Sequence, residues 1–180
     1  LAIGTDKIGN EEYLTIVRDI KTKKILTKSI IKTSGNFFFA KNDYFFYTVL
    51  DHERRPFQVK RHTLGDNPKN DVIIYSEKDP SFFVSCSLSH DDRFVFIDSS
   101  QHDTDEISFF ECDEISPKLR LIKKRELDFE YDVNYHPESD SFFILTNKDK
   151  AVDYKIMKVS TKNPEVENWE TFLEHKPSRL

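Results

Sequence analysis

One strand pattern recurs three times along this chain of 180 residues at a spacing of about 48, and a period of that size marks stacked supersecondary units. Each repeat is anchored by a polar turn leading into an apolar strand: Asn42-Asp43-Tyr44-Phe45-Phe46-Tyr47, Asp91-Asp92-Arg93-Phe94-Val95-Phe96 and Ser139-Asp140-Ser141-Phe142-Phe143-Ile144. A strand precedes each anchor (Phe37 to Phe39, Phe82 to Val84, Tyr131 to Val133) and another follows it (Phe57 to Val59, Glu106 to Phe109, Tyr154 to Ile156). A fourth closes each unit at Val72 to Tyr75, Leu119 to Ile122 and Trp169 to Phe172. Short aromatic and β-branched runs between turn signals are strands. Four antiparallel strands at this period make a propeller blade.

The opening segment supplies the third strand (Tyr13 to Ile20) and fourth strand (Ile25 to Lys32) of one more unit, whose inner strands are missing. Leu1 is not a methionine and falls where a second strand is expected to finish, so the chain is expected to begin inside a blade. The expected organisation is therefore an all-β propeller fragment of four-stranded antiparallel blades, about three and a half in number. Residues 1–33 form the outer strands of a partial blade, 34–78, 79–126 and 127–176 are whole blades, and 177–180 start the next linker.

Composition agrees with a sheet stack. Only 37% of residues are hydrophobic and 33% are charged, but sixteen Phe and seven Tyr concentrate the apolar content in rings large enough to fill the wedge between blades. The first strands are expected innermost, with side chains lining a channel or packing between inner strands, packing being the commoner use of aromatic runs. A net charge of −5, with basic residues scattered among acidic ones, leaves no stripe for a phosphate backbone, so no nucleic acid is expected as a partner. No apolar run approaches the roughly 20 residues a membrane helix needs, and the expected setting is cytoplasmic, with no membrane partner. Cys86 and Cys112 are in no ligand spacing and read as buried free thiols in a reducing compartment.

Catalytic motifs are lacking. The four glycines form neither a phosphate-cradling loop nor a G-x-S-x-G elbow, and the six histidines (His52, His62, His90, His102, His136, His175) show no metal-ligand pairing. No catalytic, metal or cofactor residue is expected, and no cofactor. His90 and His136 occupy the same turn of successive repeats and read as turn chemistry. Because blade strands alternate in direction, the loop joining strands two and three and the link from strand four to the next blade emerge on one face. That face is expected to carry residues 51–55, 79–80, 101–105, 127–128 and 148–150, and loops on rigid scaffolds are where binding groups tend to sit. Its candidate interdomain residues are Arg54, Arg55, Asp79, His102, Asp103, Asp105 and Asp149, while the opposite face has plainer turns such as Lys41-Asn42-Asp43. Solvated loops are the commoner meaning of such charge runs.

A run of residues also carries a family resemblance: Arg55-Pro56-Phe57-Gln58-Val59-Lys60-Arg61-His62-Thr63-Leu64-Gly65, then Asp71, Tyr75, Glu77 and Asp79. Glu130-Tyr131-Asp132-Val133, the stretch from Phe142 to Ala151 and Trp169-Glu170-Thr171-Phe172 continue it in order. The chain resembles the propeller of the oligopeptidase B (protease II) group in the prolyl oligopeptidase family of serine peptidases. That resemblance implies a seven-bladed propeller capping an α/β-hydrolase domain, cleavage of short peptides after Lys or Arg, and a propeller that filters substrates by size. The implied partners are the hydrolase domain and the peptide substrate; the Ser, Asp and His triad belongs to the hydrolase domain, so the chain by itself is expected to be inactive. The period alone also fits a free-standing propeller-type protein-interaction module, which is the alternative reading. In either case open blade faces are expected to drive self-association.

Overall fold

The computed structural model describes residues 1–41 and 43–176; the Asn42 turn residue and the expected linker start at 177–180 lie outside the described residues. The chain divides into two compact units, Leu1–Leu88 and Ser89–Leu180.

In the first unit, β1 (Ala2–Thr5), β2 (Tyr13–Arg18), β3 (Ile25–Phe39), β4 (Tyr44–Leu50), β5 (Pro56–Thr63) and β6 (Val72–Ser76) form one antiparallel sheet in chain order, followed in sequence by β7 (Phe83–Leu88). The opening segment holds more than the two outer strands expected of it, because β1 pairs with β2 from Ala2↔Val17 to Thr5↔Leu14. No loop marks the blade boundary expected at residues 33–34, because β3 runs straight through it. The first part of β3 pairs with β2, its last part with β4, and between Thr33↔Val49 and Phe37↔Tyr47 three residues of β3 oppose Thr48 alone. Gly35 sits in this bulge at φ +84, and a Cβ there would come within 3.1 Å of the Tyr13 ring. A bulge bends a strand without ending it, and only glycine accepts both the left-handed backbone and the close ring, so no loop is needed. Val17, Ile30, Phe45 and Tyr47 form this unit's buried cluster.

The second unit contains β8 (Phe94–Gln101), β9 (Thr104–Glu111), β10 (Arg120–Lys123), β11 (Tyr131–His136), β12 (Ser141–Thr146), β13 (Lys155–Ser160) and β14 (Glu170–Leu173). Within this unit β8, β9 and β10 form an antiparallel sheet in the order β10-β9-β8, and β11-β12-β13-β14 form a second in chain order. Period-two alternation sets which side chains go inward. Phe94 and Phe96 of β8, Ile107 and Phe109 of β9, Phe142 and Ile144 of β12, and Met157 and Val159 of β13 all enter one core. Phe142 is fully buried, with its ring 4.8 Å from Phe109, 5.5 Å from Phe94 and 5.6 Å from Phe96, each pair edge to face. Such contacts add to area burial because positive ring edges meet negative faces. On β11, Tyr131 and Val133 are buried while Asp132 between them is exposed, so this expected innermost segment packs into the core.

The period seen in the sequence has a hydrogen-bonded counterpart. Asp43, Asp92 and Asp140, one in each anchor turn, take left-handed backbone at φ 58, 60 and 43. The carbonyls of Asp43, Arg93 and Asp140 accept from the amides of Leu64 (2.9 Å), Cys112 (2.7 Å) and Thr161 (3.3 Å), tying each turn to the end of the third strand of its repeat. Asp tolerates this conformation because its short side chain bonds locally.

Phe142→Ala removes the ring that Phe94, Phe96, Phe109 and Tyr135 contact, so it should cost about 3–5 kcal/mol by urea unfolding, as for a buried aromatic deleted from a packed core. Phe172→Ala, at a site 61% exposed, should cost well under half of that. Equal losses would show that the ring cluster does not hold this unit together.

Candidate functional site

The candidate residues fall into two clusters, one in each unit. In the first, the turn between β4 and β5 is built around Asp51. Its Oδ1 accepts from the Glu53 and Arg55 amides (both 2.9 Å) and its Oδ2 from Arg55 Nε at 3.0 Å. Burial by itself would raise the Asp51 carboxyl, but these donors hold it below the usual carboxylate range. Arg54, at φ 64, reaches the Asn10 carbonyl with Nη1 at 3.4 Å. Arg55 does more: its Nη1 donates to the Asp79 carbonyl at 2.9 Å and to the Phe82 carbonyl at 2.7 Å. One guanidinium therefore bridges the β4–β5 turn to the link between β6 and β7, and brings Arg55 and Asp79 together. Asp79 in turn caps its own turn, accepting from the Ser81 amide (3.0 Å) and hydroxyl (2.7 Å).

The second cluster has the same plan with different chemistry. His102 and Asp103 form the two-residue turn between β8 and β9; His102 is exposed, and Asp103 Oδ1 accepts from Gln101 Nε2 and Thr104 Oγ1 at 3.3 and 3.2 Å. Asp105 does not pair with Asp103 in the structure. Its amide donates to the Phe129 carbonyl at 3.1 Å and its Oδ2 accepts from the Tyr131 amide at 2.9 Å, holding the β10–β11 link where Arg55 held the earlier one. Burial raises the Asp105 carboxyl, the Tyr131 amide opposes that, and Glu130 and Asp132 add to the rise. Asn147 joins the next loop to the same link through Nδ2 to the Asp128 carbonyl (3.0 Å) and Oδ1 from the Glu130 amide (3.0 Å). Tyr154 donates to Glu130 Oε2 at 2.7 Å. Asp149 stands on this loop at φ 58, and hydrogen bonds from Lys155 (2.6 Å) and Lys148 (3.2 Å) hold its carboxyl below the ordinary range. A small cleft of about 260 Å³, lined by Asp128, Phe129, Asn147 and Asp149 among others, opens here.

These loops are fixed by their own side chains, so they present charge in set positions; none combines a nucleophile with a base and an open pocket. A larger cleft of about 670 Å³ in the first unit, lined by Ile25, Leu26, Lys60 and Lys69 among others, contains none of the candidate residues. Among the described residues no group of three or more His, Cys, Asp or Glu could hold a metal ion. Cys86 and Cys112 are buried and form no disulfide among the described residues, and burial pushes the Cys86 thiol up to about 12.

Residues 1–180 match the family model "Prolyl oligopeptidase, N-terminal beta-propeller domain". The chain belongs to the prolyl oligopeptidase family. It is 31% identical over 161 residues to "Protease 2" of Moraxella lacunata, covering 88% of this chain and 23% of that protein. To human "Prolyl endopeptidase-like" it is 35% identical over 133 residues, covering 73% and 18%. Oligopeptidase B from Leishmania major superposes with a TM-score of 0.91 at 24% identity over 97% of this chain and 24% of that one. Oligopeptidase B from Trypanosoma brucei gives 0.86 at 26% identity over 98% and 24%. The chain thus spans about a quarter of the Protease 2 and oligopeptidase B chains it matches.

For a member of this propeller family, one buried constellation escaped the sequence reading. His62 Nδ1 lies 2.6 Å from Asp71 Oδ1, His62 Nε2 lies 2.7 Å from Thr27 Oγ1, and Tyr47 donates to Asp71 Oδ2 at 2.7 Å. The connectivity is that of a hydroxyl, imidazole and carboxylate relay, but Thr27 is 1% exposed and His62 0%, so no substrate reaches it. It ties β3 to β5 and to the residue before β6, and burial with the Asp71 carboxylate raises the Tyr47 phenol far above its ordinary range. Thr27, His62 and Asp71 are 35 and nine residues apart, and no local spacing rule would have grouped them.

Arg55→Ala should remove both carbonyl bonds to the β6–β7 link, at a cost of about 1–3 kcal/mol. Amide exchange should quicken in residues 79–83 and stay unchanged in β12. Unchanged exchange at the link would show that Arg55 does not hold it.

Proposed function

We propose that this chain is a noncatalytic propeller segment of an oligopeptidase B-like serine endopeptidase, which hydrolyses short peptides after Lys or Arg while the propeller filters substrates by size. The observation that carries the reading is 31% identity to Protease 2, joined by the superposition of 98% of this chain on oligopeptidase B from Trypanosoma brucei at 26% identity. The clusters around Arg55 and Asp105 support it in a second way: loops stiffened by their own hydrogen bonds suit a face against which a hydrolase domain closes repeatedly. On this reading Arg54, Arg55, Asp79, His102, Asp103, Asp105 and Asp149 belong to the interdomain face, the blades divide near residues 33, 78 and 126, and the parent enzyme is cytoplasmic. Among the described residues no helix is long and apolar enough to cross a membrane.

The test uses the full-length polypeptide that carries this segment, assayed against short fluorogenic peptides ending in Arg, Lys or Pro. Cleavage after Arg and Lys, with a folded protein of the same sequence content left intact, is the expected result. Cleavage after Pro alone would replace the basic specificity with a prolyl one, and equal cleavage of the folded protein would remove the filter.

The same reading makes the isolated segment adhesive. On β12 the buried Phe142 and Ile144 alternate with Phe143 and Leu145, and Leu145 with Phe172 and Leu173 of β14 is 45%, 61% and 52% exposed. An apolar second face of this kind needs a cover. We propose that a second copy of the segment supplies it, so light scattering over a dilution series should show a mass rising toward twice 21.3 kDa. A constant monomer mass would contradict this.

A further inference from the structure

Asp98 is an oddity of the second unit. It follows Phe94 and Phe96 on the core-facing side of β8, where the alternation calls for another apolar residue. Its carboxyl takes a hydrogen bond from Ser100, but Oδ1 is wholly enclosed and has no partner among the described residues. In the β8–β9 ladder Asp98 faces Ile107 and Ser100 faces Asp105, so Asp98 and Asp105 are diagonal neighbours on one face. Asp105 is the residue whose Oδ2 holds the Tyr131 amide at the end of the β10–β11 link.

The charges around this pair are one-sided. Glu130, on the link, is bound by Tyr154 and Asn147, and Asp132 is exposed on the far face of β11. Glu106, the adjacent acid on β9, faces away and pairs with Arg125 at 2.9 Å. Lys123 of β10 pairs with Glu126 at 2.8 Å, His102 and Asp103 occupy the β8–β9 turn, and β7 carries no charged side chain. Among the described residues no cation bonds to Asp98 or Asp105.

We infer that Asp98 is a proton-operated latch on the β10–β11 link: protonated, it leaves Asp105 free to hold the Tyr131 amide; ionised, it sets a second negative charge beside Asp105 and loosens the link. Desolvation, with Asp105 and Asp132 as neighbouring negative charges, pushes the Asp98 carboxyl up to about 7, which puts the change near neutrality. An acid whose folded pKa lies above its unfolded value favours the folded state fully below the unfolded value, and that contribution is lost as pH rises through the folded one. The link should therefore be tight at pH 6 and looser at pH 8. In a parent enzyme the link lies on the loop face assigned above to the hydrolase domain, so the same proton would tune docking. That consequence rests on the earlier assignment, whereas the latch is read from this chain alone.

Hydrogen exchange of the segment spanning residues 127–135, corrected for the intrinsic pH dependence of exchange, tests the latch. Exchange should rise about tenfold between pH 6 and pH 8 in the unaltered chain and stay flat in Asp98→Asn, which keeps the shape and cannot ionise. Asp105→Asn retains an acceptor for the Tyr131 amide and should flatten the response too. A carboxyl-carbon NMR titration of Asp98 in the unaltered chain needs no variant, and a midpoint near 7 is expected. A midpoint near 4, or a pH response in Asp98→Asn equal to that of the unaltered chain, would overturn the proposal.

Discussion

Every sheet in the second unit depends on one constraint: strands with apolar residues on both faces cannot be stable unless something covers each face. On β8, Phe94 and Phe96 enter the core shared with β12 while Val95 and Ile97 are also buried on the other side. A sheet of this kind cannot be one layer of an ordinary sandwich, in which polar residues alternate outward. Repetition answers the requirement within this unit, because β8 and β9 are covered by β12 and β13 through one shared core. Edge-to-face packing of Phe142 against Phe94, Phe96 and Phe109 is the local form of that answer. The cost of leaving such a face open is visible at Leu145, Phe172 and Leu173.

With the strands committed to packing, charge is left to the loops, and there it does mechanical work. Arg55 ties a β4–β5 turn to the following link with a cation donating to carbonyls, while Asp105 ties a β8–β9 hairpin to its link with a carboxylate accepting from an amide. Opposite charges thus meet the same geometric need, since a link that leaves an outer strand for the next inner one carries backbone groups outside any ladder. This explains why loops crowded with ionisable residues contain so few that are free for chemistry. Asp51, Asp105 and Asp149 are all engaged in holding a backbone or a neighbouring lysine in place.

Much of this was legible in the sequence because repeats state the same physics several times. The Asn-Asp, Asp-Asp and Ser-Asp anchors became left-handed turns, and the aromatic runs after them became strands in register with their neighbours. What escaped was non-repeating. The continuity of β3 turns on Gly35, whose bulge looks in sequence like a loop signal. The Thr27, His62 and Asp71 relay joins residues from three elements of the first unit, and the corresponding place in the next repeat is taken by buried Phe110, so no pattern announced it. Asp98 reads as the polar end of an apolar strand until the register shows it on the core side.

If the chain is part of an oligopeptidase B-like enzyme, as proposed, the deciding question is which set of loops meets the hydrolase domain. A density map of the full-length polypeptide at side-chain resolution settles that directly. The proposal predicts residues 51–55, 79–80, 101–105, 127–128 and 148–150 against the hydrolase domain, with Arg55 and Asp105 still holding their links. A hydrolase domain seated instead on the anchor turns at Asp43, Asp92 and Asp140 would contradict it.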